Sequence, residues 1–581
     1  MPIHNNEIAD IFSEVADLLD IQDENQFRIR SYRNAARTIG GLSQSVAEMI
    51  KEGKDLSKLS GIGKDLAEKI ETIIKKGSLP QLKKLRKKTP KSLSTIMKVA
   101  SLGPKKVKAM NKKLNIKTLK DLKKAAKAGM IKELEGFGEK TEENILDNIG
   151  QVESGQKRKK IPVAKHLAEP LIAYLKKDQS LKDISTAGSY RRRKETVKDL
   201  DILVIHKSKS KIMDYFTKYE DVKKVVAKGN TKSTVKLRSD FNVDLRSVAK
   251  SNYGSALLYF TGSKAHNIAI RKIAVAKKYK LNEYGLFKGK KRVAGKTEAE
   301  VYQKLGLKYI APELRENRGE LEAAKENKLP KLVKLRDIKG DLHTHSKSTD
   351  GKNTIEEMAK AAKKIGYKYL AITDHTQNVT VAGGLDQKAF KKHLKSIERV
   401  NKKIKGITLL KGAEVDILKD GSLDLPDSVL KKLDVVVCAV HYNRNLSKAK
   451  QTKRVLKAMD NPYFQIFAHP SGRLINERKP YEIDLEKVMQ KAKKKNIILE
   501  LNAHPKRLDL NDAKAKRAKE MGIKIAIATD GHSTDDLKLM EYGVGQARRG
   551  WLAKKDVINT LSLTQLKKIL TKRTRAKAKK R

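Results

Sequence analysis

Apolar residues recur every three to four positions in EIADIFSEVADLLDI (7–21) and FRIRSYRNAARTIGGL (27–42), which predicts helices through the first 80 residues. Three related segments follow: KLSGIGKDLAEKI (58–70), VASLGPKKVKAM (99–110) and ELEGFGEKTEENI (133–145). Each places a tight turn before a helix, through Gly61 and Gly63, through Gly103 with Ser101 in place of the first glycine, and through Gly136 and Gly138. The pattern changes near 180. DLDILVIH (199–206) and FNVDLRSV (241–248) alternate as strands, whereas NYGSALLYFTGSKAHNIAIRKIAVAKKY (252–279) has helical spacing on either side of a Thr-Gly-Ser turn. Beyond 338 an apolar strand followed by polar residues recurs seven times, with intervening helical spans such as TIEEMAKAAKKIG (354–366), predicting a β/α barrel with its site at the C-terminal strand ends.

Composition narrows the partners. Over 581 residues, 129 Lys and Arg against 68 Asp and Glu leave a net charge of +61, which points to a polyanion, nucleic acid first. No apolar run is long enough to span a membrane, and neither a signal peptide nor a lipidation motif is seen, so a cytoplasmic, nucleoid-associated protein is expected. The single cysteine, Cys438 in VVVCAV, reads as a core residue.

Candidate chemistry falls in three places. In a strand, residues two apart share a face, so Asp199 and Asp201 meet one space while Leu200 and Ile202 turn inward; the pair is either a metal grip or a solvated strand end. Gly188 and Ser189 offer a turn into a basic helix whose free N–H groups suit a phosphate, and Asp244 is a third carboxylate if its strand lies beside 199–206. The three glycine turns read as helix-hairpin-helix motifs that hold a DNA backbone without reading bases. In the barrel, His343, His345, Asp350, His375, Glu414, His441, His469, Asp530 and His532 all follow strand ends, a thiolate-free set that suits Zn²⁺, Mn²⁺ or Fe²⁺ in a hydrolytic centre.

GSYRRR with DLD, then VDLR, YFTGSKAHNIAIR and NEYGLF, together with the upstream hairpins, resemble the family X DNA polymerases over roughly residues 1–320. The resemblance implies that Asp199, Asp201 and Asp244 hold two Mg²⁺ ions. Ser189 and Arg192 would hold the triphosphate of a dNTP, Tyr259, Phe260 and Gly262 the sugar, and Asn267 and Arg271 the minor-groove side of the nascent pair. It also implies an N-terminal 5′-phosphate and lyase-like domain in which Tyr32 and Arg33 bind DNA and Lys69 takes the Schiff-base position. Arg28 and Asp65 replace two lysines of that pattern, which leaves Lys69 as either nucleophile or ordinary helix lysine. Residues 338–560 resemble the PHP (polymerase and histidinol phosphatase) domain, whose trinuclear pattern all nine candidates fill; it implies up to three Zn²⁺ or Mn²⁺ ions and 3′-5′ exonuclease activity, with abasic-site cleavage in some members. His393 and His504 fall outside that pattern, and Arg473, just after the AHP motif, reads as a solvated arginine, with a substrate-phosphate ligand as the alternative.

The fold expected is multidomain: a helical lyase-like domain (1–80), fingers with hairpins (81–152), an α+β nucleotidyltransferase palm (153–260), a thumb (261–318), a charged linker (319–337), a (β/α)7 PHP barrel (338–565) and a basic tail (566–581) whose last ten residues are disordered. The function expected is gap-filling DNA polymerisation in base excision repair with an editing exonuclease, by a monomer acting on gapped or primed duplex DNA and dNTPs. Alternatives are a phosphoesterase with a non-polymerising DNA-binding half and a non-catalytic DNA scaffold.

Overall fold

The computed structural model describes residues 5–578 except 43, 45, 60, 90, 98, 100, 101, 140, 144, 147, 148, 150–157 and 209. The chain divides into two units, Met1–Arg158 and Lys159–Arg581. Ser101, residues 153–157 at the start of the expected palm and the last three residues of the expected tail lie outside the described residues.

The first unit is helical. α1 (Asn5–Ile21) and α2 (Gln26–Gly41) bury one face each, including Phe12, Leu18, Ile29 and Tyr32, against α3 (Lys64–Lys76), whose Leu66, Ile70 and Ile73 recur at helical spacing. Gly61 has φ +78°, a left-handed turn that lets Gly63 cap α3. A second apolar cluster gathers Leu93–Ile149 around α4 (Pro104–Leu114), which Gly103 caps; Lys106 of α4 reaches Phe137 (5.1 Å to the ring centre) and Thr141 (3.3 Å), joining the second hairpin to the third.

The second unit opens with a five-stranded sheet in spatial order β1-β2-β5-β4-β3, where β1 is Leu181–Thr186, β2 Asp199–His206, β3 Val222–Lys228, β4 Lys232–Leu237 and β5 Asn242–Ser247. Only β2 and β5 run parallel. A single helical turn, α5 (Gly188–Arg191), stands where the basic helix was expected. α6 (Tyr253–Thr261) and α7 (Lys264–Ala276) follow, with Ser263 capping α7 by accepting from His266 N at 3.3 Å.

Seven parallel strands, β6 (Gly340–Asp341), β7 (Tyr369–Ile372), β8 (Thr408–Asp416), β9 (Val435–Ala439), β10 (Ile466–Phe467), β11 (Ile498–Asn502) and β12 (Ile525–Ala528), pair in sequential order. A parallel bridge from Thr344 to Gly531 joins the first strand end to the last, so the barrel nearly closes. Alternate residues fill its interior (Tyr369, Ala371, Val435, Val437) or pack outward under helices (Leu370, Ile372, Val436, Cys438), the latter placing the lone cysteine in the core as expected.

Two boundaries differ from those expected. The 319–337 linker is folded: Glu320 is fully buried against His266, Leu321 and Ala324 join the core around α7, and Val333 joins the barrel's outer core. The basic tail is no free segment either, because α9 (Leu563–Ala578) carries Leu566 and Leu570 into the barrel interior. Gln465 donates to Leu570 O at 3.3 Å and Tyr369, at the start of β7, donates to Leu561 O at 3.3 Å, so α9 stoppers the N-terminal mouth. The apolar spacing of LTQLKKIL outweighs its charge because lysines at the other positions keep their ammonium groups in water. Replacing Leu566 or Leu570 by Ala is expected to destabilise the second unit by about 2–5 kcal/mol in denaturant titrations, while Lys568→Ala stays within about 0.5 kcal/mol.

Candidate active site and metal centre

The parallel register sets Asp201 directly opposite Asp244, and Asp199 opposite Asn242. Leu200 and Ile202 are fully buried, so the carboxylates share the other face, as the alternation predicts. Gly188 (φ +60°) faces them; a Cβ there would collide with the Asp201 carboxylate, which is why only glycine fits the turn. Burial, then the charges of Asp199 and Asp244, push the Asp201 carboxyl up to about 7. Asp244 is better compensated: Oδ1 accepts from Thr234 at 2.6 Å, and Oδ2 meets Lys232 Nζ at 3.0 Å and Arg246 Nη2 at 3.2 Å. An all-oxygen set with one buried, unrelieved carboxylate fits a hard divalent cation. Among the described residues, however, the acidic and histidine groups drawn within 4.8 Å of one another all lie in the barrel, so the three aspartates face one space without closing as tightly.

Around this strand pair the GSYRRR turn is held by its arginines. Arg191 grips Glu298 through two bonds (2.8 and 2.7 Å) and Thr261 Oγ1 (2.7 Å); Arg192 reaches Glu316 Oε1 (3.1 Å) and Thr261 O; Arg193 lies 3.8 Å from Glu313. Ser189 lies in the same turn and is half-buried. Across from it, a Cβ at Gly262 would come within 3.2 Å of Arg192, and Phe260 lies under the Arg246 guanidinium at 4.3 Å. Asn267 donates to Tyr259 O at 2.6 Å and Arg271 to Asn267 O at 3.1 Å; the two residues line a cleft with Tyr259 and Asn282.

All nine barrel candidates meet at the C-terminal strand ends. Three overlapping groups form: His345, Asp350, His375 and His532; His343, His345 and Asp530; His375, Glu414 and His441. Glu414 is the hub, within 3.0 Å of His375 and His469, 3.2 Å of His441 and 3.4 Å of His343. His343 Nε2 and both nitrogens of His345 are buried without hydrogen-bond partners, and His375 Nδ1 has only the Glu414 carboxylate beside it; imidazole nitrogens so placed fit metal ligation. Burial and His375 lower His345 to about 4, leaving it neutral, and the surrounding imidazoles hold Glu414 well below the usual carboxylate range against its burial. His393 pairs with Asp374 (3.2 Å) and His504 accepts from Lys506 N (3.2 Å); neither joins the groups, as expected.

The chain is 36% identical to the DNA polymerase/3'-5' exonuclease PolX of Bacillus subtilis over 572 residues, 98% of this chain and 99% of that one. It belongs to the family X DNA polymerases that carry a PHP domain. Family models match in the same order: a helix-hairpin-helix domain (3–79), a SAM-like helix-hairpin-helix tandem (91–150), the DNA polymerase beta thumb (256–316) and the PHP domain (341–504). A probable phosphatase of Thermoanaerobacter is 32% identical over 231 residues, 38% of this chain and 89% of its own length.

Within the family frame, the first unit's expected DNA contacts separate. Gly61, Gly63, Arg28, Tyr32 and Asp65 line one groove, and Lys69 Nζ lies above the Tyr32 ring at 5.4 Å. Tyr32, however, is 1% exposed, packed edge-on to Phe12 and bonded to Gln81 at 2.6 Å, so it is floor rather than finger. Arg33 turns to Asp20 (2.6 Å) and Asp17 (3.4 Å) and does not line the groove.

Several functional groups escaped the sequence reading. Glu500 receives His343 Nδ1 at 2.7 Å and His469 N at 2.7 Å, and Asp416 accepts from His441 N at 3.0 Å and meets its Nδ1 at 3.1 Å; both aim ligands from behind. The signal was a carboxylate inside an apolar parallel strand, as in IILELN, where burial demands a partner. Arg473 is also corrected: it is held by Glu195 (2.7 and 3.2 Å) and by the carbonyls of Arg507 and Leu508, not solvated. Glu500→Gln is expected to weaken barrel metal affinity about 10–100-fold in chelator competition; unchanged affinity would show that Glu500 does not orient His343.

Among the described residues no helix is long and apolar enough to cross a membrane.

Proposed function

We propose that the second unit extends DNA at Asp199, Asp201 and Asp244 and removes nucleotides from 3′ ends at the barrel, and that the protein acts as a monomer on gapped or primed duplexes in base excision repair in the cytoplasm, at the nucleoid. The observation that supports this reading best is that one unit carries two separate desolvated acidic centres, the Asp201–Asp244 strand pair and the eight-residue barrel cluster that His469 joins through Glu414. Mg²⁺ at the first and Zn²⁺ or Mn²⁺ at the second would supply Lewis acidity and charge neutralisation at phosphate. Asp201 and Asp244 grip from neighbouring strands, so their spacing is fixed by backbone hydrogen bonds rather than by flexible side chains. Ser189 and Arg192 face the triphosphate, Tyr259, Phe260 and Gly262 shape the sugar pocket, and Asn267 and Arg271 touch the minor-groove edge of the new pair. In the barrel His343, aimed by Glu500, and the hub Glu414 hold the hydrolytic centre. The glycine turns at 61–63, 103 and 136–138 bind backbone phosphate, with the net charge of +61 making that contact salt-sensitive.

Lys69 is assigned no lyase role. Its Nζ lies 2.5 and 2.7 Å from the two Asp65 oxygens, and although burial favours the neutral amine, hydrogen bonds to Asp65 and Tyr32 outweigh it and raise the ammonium pKa. A Schiff-base nucleophile needs the opposite shift. Borohydride treatment with abasic DNA is expected to trap no adduct; an adduct lost in Lys69→Ala would reverse the assignment.

The two centres separate in a paired test on a primed, gapped duplex. Asp201→Asn is expected to lower extension at least ~10³-fold and leave 3′ digestion intact, and His343→Ala to do the reverse. Loss of both activities in either folded variant would mean one shared site, and digestion without extension in the wild type would leave only a phosphoesterase.

A further inference from the structure

Helix α8 (Met540–Arg549) belongs to the barrel, yet it is laid against the palm's GSYRRR turn. A Cβ at Gly545 would sit 3.1 Å from Arg193 Cδ, so the helix approaches the turn where it carries no side chain. At its end Arg549, 1% exposed, donates from Nη1 to Arg192 O at 2.8 Å and to Glu316 Oε1 at 3.0 Å, and from Nη2 to Asp512 Oδ2 at 2.5 Å. Glu316 Oε1 is the same oxygen that receives Arg192 Nε at 3.1 Å. One carboxylate oxygen is thus divided between a barrel arginine and a palm arginine. Arg318 meets Asp512 at 3.1 Å, and Lys194 lies within the field of Arg549, Glu316, Asp512 and Arg318. Four cations face two carboxylates in a nearly closed space, and burial, which would raise the Glu316 carboxyl, is overcome by Arg549, Lys194 and Arg192, which hold it at about 2.

We infer that Arg549 of the barrel is a positioning residue for nucleotide binding in the palm: by occupying half of Glu316 and the Arg192 carbonyl, it keeps the Arg192 guanidinium from being drawn wholly onto Glu316 and leaves it available to a triphosphate. The inference rests on the reading of Arg192 as a triphosphate ligand. Its sign follows from charge. Without Arg549, Arg192 is the remaining hydrogen-bond donor to Glu316 Oε1, with Lys194 acting only through its charge; the arginine retracts and the local positive potential falls, so an incoming polyanion binds less well. Neutralising Glu316 does the opposite, releasing Arg192 and raising the potential.

The test measures the apparent Kd of a correct dNTP on a dideoxy-terminated primer duplex, together with KM and kcat for single-nucleotide insertion, in the full-length protein. Arg549→Met is expected to raise Kd and KM about tenfold with kcat changed less than about threefold, within the usual range of coupling between sites. Glu316→Gln is expected to lower Kd. The two variants moving in opposite directions is a result that loosened packing would not give. Digestion of a 3′ end by Arg549→Met should stay within about twofold of the wild type, reporting an intact barrel. If Arg549→Met folds and binds dNTP like the wild type while Arg192→Ala binds it poorly, the inference is overturned. If Arg549→Met and Glu316→Gln both weaken binding and both lower the thermal midpoint, it is overturned as well, in favour of packing alone. Should Arg192→Ala also bind normally, it is the Arg192 reading that fails, and the inference falls with it.

Discussion

The register between β2 and β5 is the constraint on which the palm depends. These are the only two strands of the sheet that run parallel, and their pairing opposes Asp201 to Asp244. A slip of one residue would carry Asp244 to the core face and Val243 to the site, because strand side chains alternate. The buried cluster of Leu200, Ile202, Val243 and Leu245 forbids that slip. Hydrophobic packing on one face therefore holds together, on the other, carboxylates that would otherwise repel one another. Burial first, and then the charges of Asp199 and Asp244, raise the Asp201 carboxyl, and a cation bound at this face relieves both.

The barrel solves the same problem with more ligands and less freedom. Six of the seven strand ends contribute groups, three from the first, and the partners behind them, Glu500 and Asp416, are themselves buried and hydrogen-bonded. Neutralisation by the chain's own cations is uneven: Lys232 and Arg246 meet Asp244 at 3.0 and 3.2 Å and Arg507 meets Asp530 at 3.2 Å, but Glu414 is surrounded by imidazoles alone. The basic residues are spent on the surface and on the seam between palm and barrel, where Arg473, Arg548 and Arg549 find Glu195, Glu313 and Glu316.

What could be read in the sequence was what is local. The DLD strand, the Thr-Gly-Ser cap before Asn267 and Arg271, and the histidines after apolar runs are short-range patterns, and each sits where its periodicity placed it. Long-range pairing was not legible. Arg473 looked solvated because nothing in its neighbourhood names Glu195, and with 129 Lys and Arg residues no single cation stands out as a partner. The same blindness hid the seam at Arg549 and the pairing of Arg33 with Asp20, which takes that arginine out of the groove. The C-terminal helix is a different kind of miss: Leu566 and Leu570 stand four apart, a readable signal that a run of lysines obscured.

The bridge between Thr344 and Gly531 has a consequence in time. It brings His343 and His345, which follow the first strand of the barrel, against Asp530 and His532, which follow the last. On a ribosome the palm aspartates, all within one short stretch of chain, can find one another long before the seventh barrel strand has emerged, since sequence-local contacts form early and distant ones late. The nascent protein therefore completes its aspartate centre first and its histidine centre last, and a half-made chain carries no assembled barrel cluster.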